Sequence, residues 1–202
     1  MFEQNQRDAD PVFIKKLIEE ISINQKRTIG LSRKDWKEAA TQATVDWINS
    51  WEANWDLACC WHAGATLRNE QQGWTADWLQ RQLSAYFNKL QKQIFKNMSK
   101  ADRPKIARFI TLEYTDNVGW HAHGIMATPD HMTKDEFSEI LRDLWISHIG
   151  AGCCQKFKQR LFWCDEIRGA YKHYALKSAI ERHDDNQKLQ KAIIDLGNTY
   201  RP

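Results

Sequence analysis

The chain has 202 residues, of which 42% are hydrophobic and 27% charged, so it can bury the core of one ordinary domain and is neither disordered nor collagen-like. Its formal net charge is only +3. No apolar run approaches the length of a membrane span, and the polar first residues do not form a signal peptide, so we expect a cytoplasmic protein without a membrane partner.

The first 52 residues predict a helical extension. Residues 11–24 have a proline near their start and apolar residues at helical spacing. Residues 32–51 predict a second helix, with Ser32 as its N-cap. We expect both helices to pack on the main domain, with a DNA-contacting helix–turn–helix as the alternative.

Residues 53–183 alternate strands and helices and form the main domain. The predicted strands are 56–67, 105–114, 119–128 and 156–167, and the predicted helices are 75–98, 133–149 and 170–183. A turn in TDNVG joins the second and third strands as a hairpin. This order predicts an α+β fold with a central antiparallel sheet and flanking helices. Residues 184–202 predict a polar C-terminal tail with a short helical stretch near 189–196.

The cysteines favour a reducing compartment. They number five, include two adjacent pairs and contain no C-x-x-C spacing. A structural zinc site is an alternative use for some of them. Its ligands would be His148, Cys153, Cys154 and Cys164, although adjacent cysteines suit a single ion poorly.

Positive charge is concentrated in residues 89–108. This segment has seven Lys or Arg and one Asp, a net +6, which leaves −3 for the rest of the chain. A basic stripe on a nearly neutral protein suggests a phosphate-bearing partner, and a solvated helix face is the plainer alternative. The candidate phosphate-contacting residues are Lys105, Arg108, Arg168 and Lys172. Trp120 and Trp163 are candidates for stacking on unpaired bases.

The stretch GWHAHGIM at 119–126 contains two candidate metal ligands. His121 and His123 point to the same face if this stretch is a strand. On the preceding strand Glu113 shares a face with Thr111 and Phe109, so strand pairing can bring its carboxylate beside both imidazoles. Two imidazoles and one carboxylate leave open positions for a substrate oxygen. We expect Mn²⁺ or Mg²⁺, with Zn²⁺ and Fe²⁺ left open.

The helix predicted at 170–183 has a stripe formed by Tyr171, Tyr174 and Lys177 at three-residue intervals. A phenol, whose ordinary pKa is about 10, is a poor nucleophile near neutral pH. A nearby metal and a lysine can favour the phenolate and stabilise the charge that builds on a phosphate. Packing of both tyrosines in the core is the alternative.

These motifs together resemble the HUH endonuclease superfamily. Glu113, the H-A-H of residues 121–123 and the later Tyr174-Ala-Leu-Lys177 occur in that family's order, over about residues 55–180. The resemblance is to its rolling-circle replication initiators from plasmids, phages and small single-stranded DNA viruses. It implies a palm-like sheet and a divalent metal held by Glu113 and the two histidines.

The resemblance also implies how the chemistry proceeds. Tyr174 would attack the scissile DNA phosphate, leaving a 5′-phosphotyrosine and a free 3′-OH, and Lys177 would assist. Two-tyrosine members of the family usually have three residues between their tyrosines, whereas two separate Tyr171 from Tyr174. We therefore expect one nucleophile, with Tyr171 as a helper or an alternative.

The partners that the resemblance implies are single-stranded or hairpin origin DNA, a host helicase and a polymerase, in the cytoplasm of a bacterial host. A helicase is expected from the host because the sequence lacks the helicase domain of eukaryotic viral relatives. A relaxase or single-strand transposase of the same superfamily remains open. Outside it, the alternatives are a non-haem iron oxygenase with the same ligand triad and a non-enzymatic DNA-binding regulator.

Overall fold

The computed structural model describes residues 42–43, 45–51, 53–63, 75–115, 119–149, 160–167 and 191–201. In chain order their main elements are β1 (Trp55–His62), α1 (Ala76–Ile94), β2 (Arg108–Thr115), β3 (Gly119–Ala127), α2 (Lys134–Ile149), β4 (Phe162–Glu166) and β5 (Lys191–Ile194). The helices predicted at 11–24 and 170–183 lie outside the described residues, as does most of the one predicted at 32–51. None of the described helices is long and apolar enough to cross a lipid bilayer.

A five-stranded sheet forms the centre of the fold. Its strand order is β4-β1-β3-β2-β5, and each pair is antiparallel. The predicted β2–β3 hairpin is confirmed, and Thr115 pairs with Gly119 at its closed end. Gly119 has a φ of 77°, a conformation that glycine adopts without the steric cost of a side chain. The predicted α+β class with a central antiparallel sheet and flanking helices is therefore confirmed.

Both long helices pack on one face of the sheet. Alternate strand residues, among them Leu57, Trp61 and Leu112, point to this face because the side-chain period of a strand is two. The apolar stripe of α1 is buried there, at Leu79, Leu83, Tyr86, Phe87 and Leu90. From α2 the core receives Phe137, Leu141 and Trp145.

Local capping sets where each of these helices begins. The side chain of Thr75 accepts a hydrogen bond from the backbone N–H of Trp78 at the start of α1. A capping box begins α2: the backbone N–H of Glu136 donates to Thr133 Oγ1, and the Glu136 carboxylate accepts from the Thr133 backbone N–H.

The opposite face is covered in part by the chain that precedes β1. Residues 45–49 are helical, and Val45, Ile48 and Trp51 pack against Phe109 and Ile125 of the sheet. The described end of the N-terminal extension therefore lies on the main sheet, on the face away from α1 and α2.

The helical stretch predicted near 189–196 is wrong. Lys191–Ile194 is a strand that pairs antiparallel with β2, and Tyr200 forms a further bridge with Arg108. The peptide groups along the free edge of β2 need hydrogen-bond partners, and the C-terminal segment supplies them. That long-range requirement outweighed the local helical pattern.

Candidate metal centre

The β2–β3 hairpin brings the three predicted ligands together. Glu113 pairs directly with His121, and Thr111 pairs with His123. All four side chains lie on the sheet face that α1 and α2 leave uncovered, because Ile110, Leu112 and Ala122 occupy the other face. The predicted shared face of Glu113, His121 and His123 is therefore confirmed.

The donor atoms of this triad converge. Glu113 Oε2 lies 3.2 Å from His123 Nε2 and 3.7 Å from His121 Nε2. One ligand atom from each of the three residues lies within 4.8 Å of the other two. The residues are only 5–8% exposed, although they are polar. Two imidazole nitrogens and one carboxylate oxygen at this spacing fit a single divalent cation and leave coordination positions open.

A backbone contact sets the orientation of His121. Its Nδ1 lies 3.0 Å from the carbonyl oxygen of Gly119. A carbonyl can only accept, so Nδ1 carries the proton and Nε2 presents its lone pair toward Glu113. The pKa of His121 is lowered, mainly by burial and also by the nearby His123. The hydrogen bond to Gly119 and the charge of Glu113 offset part of this lowering. A neutral imidazole held in this way is ready to bind a metal.

Strand β1 adds two residues that sequence reasoning missed. His62 pairs with His121, and Cys60 pairs with His123. The rings of His62 and His121 stack in parallel, with centroids 5.2 Å apart, and Cys60 Sγ lies 2.9 Å from His62 Nε2. The signal was present as C-W-H at 60–62, which has the same donor-x-donor alternation as H-A-H. It could be used only once β1 was known to lie beside β3.

Burial is the main cause of the pKa shifts of His62 and Cys60. It lowers the pKa of His62 to about 4, with His121 and His123 contributing in the same direction. Burial also raises the pKa of the Cys60 thiol, and the nearby Glu113 carboxylate raises it further. In the absence of a cation, both groups are therefore neutral at physiological pH.

The predicted catalytic helix cannot be placed against this centre. Tyr171, Tyr174 and Lys177 lie outside the described residues, as do the predicted DNA contacts Arg168 and Lys172. Their roles stay predictions.

Two other predicted DNA-contacting residues are described, and both contact the C-terminal segment. Lys105 Nζ lies 4.7 Å from the centroid of the Tyr200 ring. Arg108 Nε donates to the Asn198 carbonyl at 2.7 Å, and its guanidinium lies over the Phe87 ring at 4.4 Å. Burial lowers the pKa of Arg108 to about 10. The phosphate contacts predicted for these residues stay predictions, and Arg108 has a clear structural role in holding the C-terminal segment.

The basic stripe also has a solvent-facing part. Lys92, Lys96 and Lys100 are exposed along the end of α1 and the turn that follows it. Of the two tryptophans proposed to stack on bases, Trp163 is 46% exposed, whereas Trp120 packs against Tyr114 with ring centroids 5.6 Å apart.

The alternative zinc site is described only in part, since Cys153 and Cys154 lie outside the described residues. His148 Nδ1 lies 3.0 Å from Lys89 Nζ, and Cys164 Sγ lies 3.2 Å from Cys59 Sγ. The two described members therefore each contact a different neighbour. The described cysteines Cys59, Cys60 and Cys164 are free thiols.

Comparison with known proteins identifies no family. No protein-family model matches the chain, and no curated protein matches it. A solved structure that is similar is the N-terminal nuclease domain of non-structural protein 1 of minute virus of mice, described as having Zn²⁺ coordination in its active-site pocket and as recognising DNA at the origin of replication. The identity is 13%, over 78% of this chain and 79% of that chain, with a TM-score of 0.33. Similarity at this level carries no argument about function, which must rest on the chain's own residues.

Proposed function

We propose that this chain is a metal-dependent endonuclease that nicks single-stranded DNA at a replication origin and so starts rolling-circle replication. The observation that carries the proposal is the convergence of Glu113, His121 and His123 on one face of a β-hairpin. In the sequence, the Tyr-x-x-Lys motif of Tyr174 and Lys177 follows this hairpin and supplies the candidate nucleophile. An iron oxygenase needs no such motif and no basic stripe.

The triad has the donor chemistry for the ion that this reaction needs. A bound Mn²⁺ or Mg²⁺ supplies Lewis-acid polarisation of a phosphate oxygen, and the same donors also suit Zn²⁺. Glu113 contributes the negative charge, and the two histidines contribute neutral nitrogens. The Gly119 carbonyl holds the His121 proton on Nδ1, so that Nε2 stays available as a donor.

In the proposed reaction the phenolic oxygen of Tyr174 forms a bond to the scissile phosphorus, and the bond from phosphorus to the 3′ oxygen breaks. The phenol gives up its proton, and the departing 3′ oxygen gains one. Lys177 neutralises charge on the phosphate as the bonds exchange. One phosphodiester replaces another, so the 5′-phosphotyrosine can be rejoined to the 3′-OH without an external energy source. Tyr171 is the alternative nucleophile.

Binding of the DNA strand is assigned to the basic stripe. Lys92, Lys96 and Lys100 are exposed and can follow successive phosphates, and the exposed face of Trp163 can stack on a base. The free 3′-OH would serve a polymerase, and a host helicase would open the duplex in the cytoplasm of a bacterial host.

The experiment is a cleavage assay on pooled single-stranded oligonucleotides with Mn²⁺, analysed on a denaturing gel with the protein left attached. The wild type and Tyr171→Phe are expected to form a covalent protein–DNA band, which Tyr174→Phe and removal of the metal abolish. Loss of the band only in Tyr171→Phe would move the nucleophile to that residue. If no adduct forms and DNA binding survives EDTA, the chain is a DNA-binding regulator and the proposal fails.

A further inference from the structure

Six side chains on the sheet face opposite α1 and α2 form two rows across three neighbouring strands. Strand pairing aligns His62, His121 and Glu113 in one row, and Cys60, His123 and Thr111 in the next. Residues directly opposite on antiparallel strands have Cβ atoms about 4.5–5.5 Å apart, so each member of a row is a neighbour of the next. The ligand triad is therefore bordered on its β1 side by a thiol and a third imidazole.

This border differs in chemistry from the triad itself. The triad offers nitrogen and oxygen donors, which suit Mn²⁺ and Mg²⁺ as well as borderline ions. Cys60 offers sulfur, which selects soft or borderline ions such as Zn²⁺. Cys60 Sγ lies 2.9 Å from His62 Nε2, on the strand beside the triad, and would have to turn from His62 to reach an ion held by Glu113, His121 and His123.

We propose that Cys60 is a conditional fourth ligand, which joins Glu113, His121 and His123 when the centre takes up Zn²⁺ and stays unligated when it takes up Mn²⁺. The inference rests on the metal centre of the proposed function. On binding, the thiol loses its proton to the solvent and its sulfur forms the new bond to the ion. Four protein ligands make a closed site, whereas three leave a position for substrate. The Zn²⁺ form would therefore be held tightly and would not cleave DNA, and metal supply would regulate the enzyme.

Co²⁺ is a suitable probe, because it has visible d–d bands when bound and a near-ultraviolet charge-transfer band only when a thiolate is a ligand. The test compares the wild-type full chain with Cys60→Ser and Cys60→Ala. The matched control is Cys59→Ser: Cys59 is the neighbouring buried cysteine, but it faces the helical side of the sheet, where it contacts Cys164. A double variant, His121→Ala with His123→Ala, removes the triad.

We expect the charge-transfer band in the wild type and in Cys59→Ser, and its loss in both Cys60 variants, which keep their visible bands. The double variant should lose both kinds of band. Visible bands without the charge-transfer band in the wild type would overturn the assignment of Cys60 and leave the triad intact. Persistence of the charge-transfer band in the double variant would also overturn it, because the thiol would then bind metal independently. Absence of both bands in the wild type would overturn the metal centre itself.

Metal affinities provide a second measurement, which does not depend on spectra. In chelator competition, Cys60→Ser should leave Mn²⁺ binding unchanged and weaken Zn²⁺ binding by about tenfold or more, since loss of a group that only supports the ligands already costs about 10–100-fold and Cys60 would be a ligand itself. An equal loss for both ions would show that Cys60 only supports the fold around the triad, and would overturn the proposal.

Discussion

The Glu113 carboxylate lies 3.2 Å from Nε2 of His123, across the β2–β3 hairpin, and both side chains are about 90% buried. A carboxylate and imidazoles are costly to bury unless they are paired or bound to a cation. This contact therefore gives the buried Glu113 carboxylate a partner in the free protein. It also holds the carboxylate and imidazole close enough to bind the same ion.

Metal binding should depend on the Glu113 carboxylate. A ligand at 100 times its Kd stabilises the folded state by about 2.7 kcal/mol. We expect Mn²⁺ to raise the melting temperature of the wild type accordingly. The melting temperature of Glu113→Gln should hardly change with Mn²⁺, because the amide lacks the negative charge. Thermal melts over a Mn²⁺ titration measure this. Glu139→Gln, an exposed change on α2, is the control and should respond like the wild type. An equal Mn²⁺ response in Glu113→Gln would remove this residue from the centre.

The metal-free protein should lose stability as the pH falls from 6.5 toward 4. In the folded state burial lowers the pKa of His62 from 6.5 to about 4, so the unfolded chain binds a proton in this window that the native chain does not. The free energy of unfolding then falls by up to about 1.4 kcal/mol per pH unit, and the lowered pKa of His121 adds to the effect. Above pH 6.5 both histidines are neutral in the folded and the unfolded chain, so neither makes the free energy of unfolding depend on pH.

Urea unfolding in EDTA at several pH values measures this dependence. His62→Gln should show a shallower loss of stability between pH 6.5 and 4 than the wild type. His131→Gln, at an exposed histidine outside the centre, should keep the wild-type slope. If the stability of His62→Gln fell as steeply with pH as that of the wild type, His62 would not be the source of the pH dependence.

Gly124 allows β3 to pack closely between its neighbours. A Cβ at this position would lie 2.6 Å from Ile110 Cδ1, 2.8 Å from the Phe109 carbonyl oxygen and 3.0 Å from Trp61 Cζ3. The carbonyl belongs to the paired strand and cannot move freely, so Gly124→Ala should destabilise the fold by about 1–3 kcal/mol.

Equilibrium urea denaturation tests this prediction. In the control, Gly197→Ala, the nearest atoms would lie 3.5 Å from the new Cβ, an ordinary contact, so its midpoint should stay close to that of the wild type. Since Gly124 directly follows His123, the alanine should also weaken Mn²⁺ binding. A Gly124→Ala protein as stable as the wild type would show that the strands can separate at no cost.

Asp195 anchors the C-terminal segment to the domain. It is 1% exposed and accepts hydrogen bonds of 2.6 Å from both Gln80 Nε2 and Asn198 Nδ2. Asp195→Ala removes the acceptor of both bonds and leaves Asn198 Nδ2 with its bond to the Gln80 carbonyl, at an expected cost of about 2–3 kcal/mol. The urea midpoint of unfolding should fall, and proteolysis near residues 191–201 should become faster. Asp130→Ala, at an exposed position, should leave both unchanged. If Asp195→Ala behaves in the same way as that control, the anchor is absent.

The sequence alone was enough to predict the triad. A hairpin is a local structure and the side-chain period of a strand is two, so pairing could bring Glu113 to the face of His121 and His123, and the observed register, in which Glu113 pairs with His121, does so. The capping box of Thr133 and Glu136 was equally predictable, since both partners lie within one turn of α2.

Only the tertiary structure decided what surrounds the triad. Nothing local in C-W-H states that β1 lies beside β3, because strand order depends on packing between segments far apart in the chain, and so Cys60 and His62 went unrecognised. The same reason explains β5, where the pairing needs of β2 overrode a helical pattern, and Arg108, whose guanidinium is held by the distant Asn198 carbonyl. Local periodicity determined which side chains share a face, and long-range packing determined which strands became neighbours on it.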